Sequence, residues 1–233
     1  MNRLALFVFI LGASLFLGCT NEQLPEEKLD PDSIYFDYLA WGDEENGTIT
    51  VKLQYRGGGP NQAAIVLEEP SRVEFDGQLL LPDSSKFTGP YYEVVRANDD
   101  FAGEHRIVFT DAGKKQYTTT FEFPVISLKT EIDSVVHRGE LVLGLAGLKP
   151  NDKVRVLLTD TSFYGRGIEK MDTVQNDSII ISRREMYSLK NGPIYMEIFR
   201  EEDKRLTETM EAGGKFYLTY GLKREFLLKD SVR

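Results

Sequence analysis

The sequence predicts an all-β chain folded as two tandem β-sandwiches behind a cleaved leader. Three observations carry that expectation. From Ser33 onward, short segments rich in β-branched and aromatic residues are separated by Gly, Pro, Asn and Asp, the pattern of strands and turns. Ahead of them lies an uninterrupted apolar run, Leu4 to Leu17, that ends at Gly18-Cys19. Of the 233 residues, the 215 that follow Gly18 suffice for two domains of about 100 residues each, and Pro124 stands where the strand rhythm changes.

The leader joins a basic start, Asn2-Arg3, to fourteen apolar residues, fewer than the roughly 20 a spanning helix needs. Phe16-Leu17-Gly18-Cys19 resembles the lipobox of bacterial lipoproteins, with Phe where Leu is usual. That resemblance implies removal of residues 1–18 and acylation of Cys19 on its thiol and new amino group. Loss of Arg3 leaves 27 basic residues against 37 acidic ones, a net charge of −10. Such a balance argues against nucleic acid and against a basic patch docking on anionic lipid, so the expected membrane contact is through the acyl chains. Cys19 is the only cysteine, so no disulfide can form and stability must come from packed cores. Hydrophobic content of 41% excludes wholesale disorder.

Residues 19–32 read as a lipidated tether. Glu22, Glu26, Glu27, Asp30 and Asp32 with Pro25 and Pro31 leave no apolar face, and the thirteen residues after Cys19 reach at most roughly 45 Å. By resemblance to enteric lipoproteins, Thr20 in place of Asp favours the outer membrane. Thr20-Asn21-Glu22-Gln23 is a sparse version of the acidic run on surface-exported lipoproteins of Bacteroidota-type bacteria, which leaves the leaflet open.

The first domain is expected at 33–124. Ile34 to Ala40 and Thr48 to Arg56 alternate apolar and polar residues, and Gly57-Gly58-Gly59-Pro60 breaks the second segment. Further strands are expected at Ala63 to Glu68, Arg72 to Phe75, Gln78 to Leu81 and Tyr91 to Arg96. His105 to Thr110 and Gln116 to Phe123 form a hairpin across Asp111-Ala112-Gly113-Lys114, with the Gly expected at a positive φ. The segment 103–111 resembles the penultimate strand of an immunoglobulin-like domain, which implies an immunoglobulin or fibronectin-III type of sandwich.

A second sandwich of the same general type is expected at 125–229, with a tail at 230–233. Its strands are Val125 to Thr130, Glu140 to Ala146, Lys153 to Thr159, Ser178 to Ser182, Ile194 to Arg200, Arg205 to Met210, Lys215 to Tyr220 and Glu225 to Leu228. Ser182-Arg183-Arg184-Glu185 has capping-box spacing, so a short helix is expected over Arg183 to Leu189. Glu201 to Lys204 reads as a hairpin turn. Aligning Gly192 with Gly103 sets Ile194, Met196 and Ile198 where His105, Ile107 and Phe109 stand.

Signatures of catalysis are missing: no Gly-x-Ser-x-Gly, no His-Glu-x-x-His, no phosphate loop and no Gly-x-Gly-x-x-Gly. His105 falls in a strand and His137 in a turn, neither with a partner at metal-ligand spacing, so no metal and no cofactor are expected. Asp43-Glu44-Glu45, Asp99-Asp100 and Glu201-Glu202-Asp203 all read as solvated turn acids, and the first lacks the alternation of an EF-hand loop. Trp41, beside a loop, is the candidate ligand-contacting aromatic, with Tyr91-Tyr92 and Phe163-Tyr164 as lesser candidates.

Asp-Ser/Thr-aliphatic occurs five times where average usage gives roughly one. It resembles the O-glycosylation sequon of Bacteroidota-type envelope proteins, with Ser33, Ser134, Thr173, Ser178 and Ser231 as acceptors; turn chemistry running into a strand produces the same pattern. The chain resembles Bacteroidota-type lipoproteins bearing immunoglobulin-like sandwiches. The implied role is a non-catalytic envelope module offering its sandwiches to a protein or glycan partner. The alternatives are a polysaccharide hydrolase using loop carboxylates and a structural subunit of an outer-membrane assembly.

Overall fold

The computed structural model describes residues 33–101, 103–123, 125–161 and 167–231. Cys19, its leader and the tether lie outside them, as do Phe163 and Tyr164. Among the described residues the chain is all-β apart from one short helix and a single 3₁₀ turn, and no helix is long and apolar enough to cross a membrane.

The first half contains β1 (Ile34–Asp43), β2 (Thr48–Gly57), β3 (Arg72–Phe75), β4 (Gln78–Leu79), β5 (Pro82–Ser85), β6 (Gly89–Ala97), β7 (Glu104–Thr110) and β8 (Gln116–Glu122). Neighbouring strands run β1-β2-β6-β5 in one sheet and β4-β3-β7-β8 in the other. This is the ABED-against-CFG order of an immunoglobulin-like sandwich, and β7 is the penultimate strand, as its sequence implies. Alternation explains the core. Ile34, Phe36, Tyr38 and Ala40 of β1 and Ile49, Val51, Leu53 and Tyr55 of β2 are all buried, facing Ile107 and Phe109 of β7. Phe36 and Phe109 meet edge to face at 5.0 Å.

The second half contains β9 (Ser127–Leu128), β10 (Val135–His137), β11 (Leu141–Ala146), β12 (Lys153–Asp160), β13 (Ile168–Thr173), β14 (Ser178–Ile181), α1 (Arg183–Ser188), β15 (Gly192–Arg205) and β16 (Gly214–Lys229). Its sheets are β9-β11-β14 and β13-β12-β15-β16. The capping box forms as expected: Ser182 Oγ accepts from Glu185 N, and Glu185 Oε2 accepts from Ser182 N at 2.7 Å. Strands β7 and β15 occupy equivalent places, with a glycine at positive φ just before the one, Gly103 at 99°, and at the first position of the other, Gly192 at 134°. His105, Ile107 and Phe109 on one, and Ile194, Met196 and Ile198 on the other, are all buried.

The largest sheet runs through both halves. Strand β16 pairs with β15 without interruption from Gly192↔Leu228 to Arg205↔Lys215. On its other edge it accepts β1 in parallel from Phe36↔Gly214 to Asp43↔Gly221, and β10 in parallel at Val135↔Leu227 to His137↔Lys229. With no bulge in either register, the even-numbered residues of β16 share one face. Phe216, Leu218 and Tyr220 are buried against the first half, and Leu222, Phe226 and Leu228 against the second. Both small sheets therefore cover the same face of the large one, and residues 206–221 complete the first core from the far end of the chain.

Several local expectations are corrected. Glu201 to Lys204 is not a turn but part of β15, because β16 pairs with it residue by residue and three of its charges find partners: Glu201 with Arg155, and Glu202 with Arg200 and Lys204. The actual turn lies at 206–213. Val135 to His137 is a strand, since β16 offers it an edge. Ala63 to Glu68 makes only a bridge from Ala64 to Arg56, because the Leu67 amide is taken by the Tyr92 hydroxyl at 2.9 Å. Lys114, at φ 66°, takes the left-handed position expected of Gly113, and Asp111 Oδ1 holds the turn by accepting from Lys115 N at 2.8 Å.

Candidate functional site

The outer face of the large sheet is covered by no other described element of the chain. Its side chains follow from the registers already given. One row reads Glu201, Thr219, Trp41, Thr50 and Val95, and the next Asp203, Tyr217, Leu39, Lys52 and Glu93. Trp41, near the end of β1, sits half-buried within this face, flanked by a threonine on each side. Val95, at the first-half side, is 53% exposed.

A polar–aromatic cluster stands beside Trp41. Arg155 of β12 grips Glu201 with two hydrogen bonds, Nε to Oε2 at 2.9 Å and Nη2 to Oε1 at 2.7 Å. The Tyr217 hydroxyl donates to the same Oε1 at 2.8 Å. Hydrogen bonding from Arg155 holds the Glu201 carboxyl below the usual carboxylate range. Burial first, and then the bond to Glu201, push the Tyr217 hydroxyl up to about 12. The guanidinium also lies over the Phe199 ring, 5.0 Å from its centroid. That ring covers Gly221, where a Cβ would come within 2.9 Å of Phe199 Cε1. A glycine is required there by the close approach, not by its backbone angles.

Tyr91 and Tyr92 part company, as alternation demands. Tyr91 is on the outer face, donating to Asp83 Oδ2 at 3.1 Å with Lys52 Nζ 4.1 Å over its ring. Tyr92 is core. His105 is buried beside Phe101, ring centroids 3.9 Å apart, with Nδ1 2.9 Å from Asp76 Oδ2. His137 donates from Nδ1 to the Asp230 carbonyl at 2.8 Å.

The acidic clusters do not converge. Asp43 accepts from Asn46 N and Nδ2, both at 2.6 Å, Glu44 pairs with Arg224, and Glu45 with Lys223. Among the described residues no group of three His, Cys, Asp or Glu side chains forms a potential metal site. A cleft of about 430 Å³ between the two halves does gather Glu104, Glu122, Asp152 and Glu202. Three of them face cations: Glu122 meets Lys149 at 3.8 Å, Asp152 meets Arg200 at 3.7 Å, and Glu202 meets Lys204 at 2.8 Å.

Of the five Asp-Ser/Thr-aliphatic positions, Ser134 and Ser231 are exposed, and Ser33, Thr173 and Ser178 are half-buried. Ser178 Oγ donates to the Gln175 carbonyl at 3.0 Å, and Ser231 Oγ to that of Arg138.

No protein-family model matches the chain, and no curated protein does. Solved structures similar to it include DIP-gamma IG1+IG2, at 8% identity and TM-score 0.24, covering 81% of this chain and 94% of that one. A tetra-tandem repeat from the extending region of a large adhesion protein is 12% identical at TM-score 0.27 and covers 83% of this chain, which spans 49% of that structure. Fibronectin(III)-like modules of Clostridium thermocellum CbhA are 9% identical at TM-score 0.23, covering 84% of this chain and 94% of theirs. Likeness of this degree carries no argument; the sandwich architecture rests on the strand order itself. The signal that locates the Arg155–Glu201–Tyr217 cluster, a run of charges inside a strand, is visible in the sequence only once β15 is known to continue through it.

Proposed function

We propose that this chain is a lipid-anchored, non-catalytic envelope module, tethered at the outer membrane through Cys19, that offers the outer face of its large sheet to a protein or glycan partner. The observation that carries the reading is the juxtaposition of Trp41, Tyr217, Leu39 and Phe199 with the Arg155–Glu201 pair on one uncovered face. Aromatic rings with an amphipathic edge and an oriented guanidinium are the groups that dominate recognition energies. Hydrolysis of a glycosidic bond needs a pair of carboxyls free to work on one bond, and three of the four acids of the inter-half cleft are each met by a cation instead. Glycosylation of Ser134 and Ser231, whose side chains are exposed, belongs to the same envelope reading.

The test follows Trp41, the only tryptophan. Its emission is titrated with envelope polysaccharides and with candidate surface proteins, and Trp41→Ala and Tyr217→Ala are compared in pull-downs. Loss of binding with unchanged melting temperature supports the face. Binding that survives both substitutions sinks it. Palmitate labelling that persists in Cys19→Ala removes the anchor from the reading, and intact-mass analysis from the native host showing no sugar removes the glycosylation.

A further inference from the structure

Phe87 is 93% exposed, at the tip of the turn between β5 and β6. The turn is well formed: Ser85 pairs with Gly89, and Ser85 Oγ accepts from Phe87 N at 3.2 Å. A large ring held in water by an ordered turn gains nothing from the fold, since burial is what stabilises such a side chain. The end of the sandwich on which it stands is also the end at which the chain enters β1. Ile34 pairs with Gly57, and the Ser33 carbonyl accepts from Gly58 N, in the loop whose residues 61–64 line one cleft with Phe87. Strand order β1-β2-β6-β5 sets Ser33 and the Phe87 turn about 15 Å apart.

We propose that Phe87 is a membrane contact, inserting into the interface of the bilayer that holds the acylated Cys19. The inference rests on the lipid anchor assigned above. The chain between Cys19 and Ser33 spans at most roughly 45 Å, so a folded unit entered at Ser33 is confined near the bilayer with this end nearest to it. Charge does not drive the contact. The mature chain carries a net charge of −10, which anionic lipid would repel. The ring therefore acts as an apolar wedge, for which a neutral lipid surface suffices. Phe87 would hold the first half against the lipid and fix which way the outer sheet face points.

The experiment uses the mature acylated protein in phosphatidylcholine vesicles. With the Cys19 thiol acylated, Phe87→Cys supplies the sole reactive thiol for an environment-sensitive fluorophore, and Met171→Cys, at a 57% exposed position in the second half, supplies the control. The expected result is a two-fold or greater rise in emission at position 87 on reconstitution, quenched by spin-labelled lipid, with neither change at position 171. Equal behaviour at the two positions overturns the proposal while leaving the anchor intact. A rise at 87 that spin-labelled lipid does not quench means that a second copy or another protein covers Phe87, and also overturns it. Absence of the acyl mass on Cys19 removes the anchor and this proposal together.

Discussion

The ring of Phe121 in β8 meets the ring of Phe216 in β16 edge to face, centroids 4.7 Å apart. Ninety-five positions separate them in sequence, and they come from opposite halves of the chain. Phe216 also stands 5.9 Å from Tyr38, and Tyr220 reaches Phe123 at 6.1 Å. Around this seam Asn98 Nδ2 donates to the Tyr220 hydroxyl at 2.9 Å, and Arg224 pairs with Glu44. The first sandwich is therefore closed by a hairpin that the second sandwich supplies.

A chain joined in this way unfolds as one unit. In urea, Trp41 emission, which reports β1 next to β16, and far-UV circular dichroism, which reports both halves, are expected to give coincident transitions. Phe216→Ala should lower stability by about 3–5 kcal/mol and keep the two curves together. Two separated transitions in the wild type would show that the halves are energetically independent.

Gly221→Ala places a methyl against the Phe199 ring and should cost about 1–3 kcal/mol by overpacking. Adding Phe199→Ala to that variant removes the clash, so the double variant is expected to lose less than the two single losses combined. Strict additivity in thermal unfolding would show that the ring swings away without strain.

The acid limb of stability should depend on Glu201. Its folded pKa is depressed by Arg155, so its contribution is present above the ordinary value of 4.5 and is lost as pH falls through the folded value. Glu201→Gln should flatten the urea midpoint against pH below about 4.5. A slope there identical to that of the wild type would contradict the assignment.

At the alkaline end the sign reverses. Tyr217 has its pKa raised from 10.0 to about 12, so its contribution is full below 10.0 and is lost as pH rises through about 12. Tyr217→Phe should remove that loss between pH 10 and 12, read by circular dichroism. It should also weaken the hold on Glu201.

Arg138 fastens α1 and the end of β16 together. Its side chain is only 9% exposed, and it donates to the carbonyls of Met186 at 2.6 Å and Leu189 at 2.7 Å, to Asn191 and to Asp230. Arg138→Ala leaves two helix-end carbonyls without this donor and should cost about 3 kcal/mol. Arg138→Lys should recover little, because an ammonium cannot reproduce the fork. Full recovery in chemical denaturation would mean that charge alone matters.

Much of the fold was legible in the residues. The alternation of β1 and β2, the β7–β8 hairpin and the helix box at Ser182 and Glu185 are local patterns that side-chain period and capping chemistry specify without help from afar. The correspondence of Gly103 with Gly192 was readable for the same reason, since each opens a strand with the same inward positions. Polar strands were not. Pro82 to Ser85 and Ile168 to Thr173 carry no alternating signal and are strands only because β6 and β12 present them with an edge. Trp41 was legible as a residue to watch, but its place within an open sheet face was not, because that depends on which strand lies beside it.

By itself, the sequence determined that this chain is a series of strands with one apolar side each, grouped into two sandwiches. The tertiary structure alone decided that the two sandwiches share a sheet, that the charges at 201–204 lie within a strand, and that Tyr217 bonds Glu201 on the sheet face that carries Trp41. The division has a physical cause. Period-two burial is written in neighbouring residues, whereas the pairing of an edge and the neutralisation of a charge need a partner whose distance along the chain leaves no mark on the local pattern.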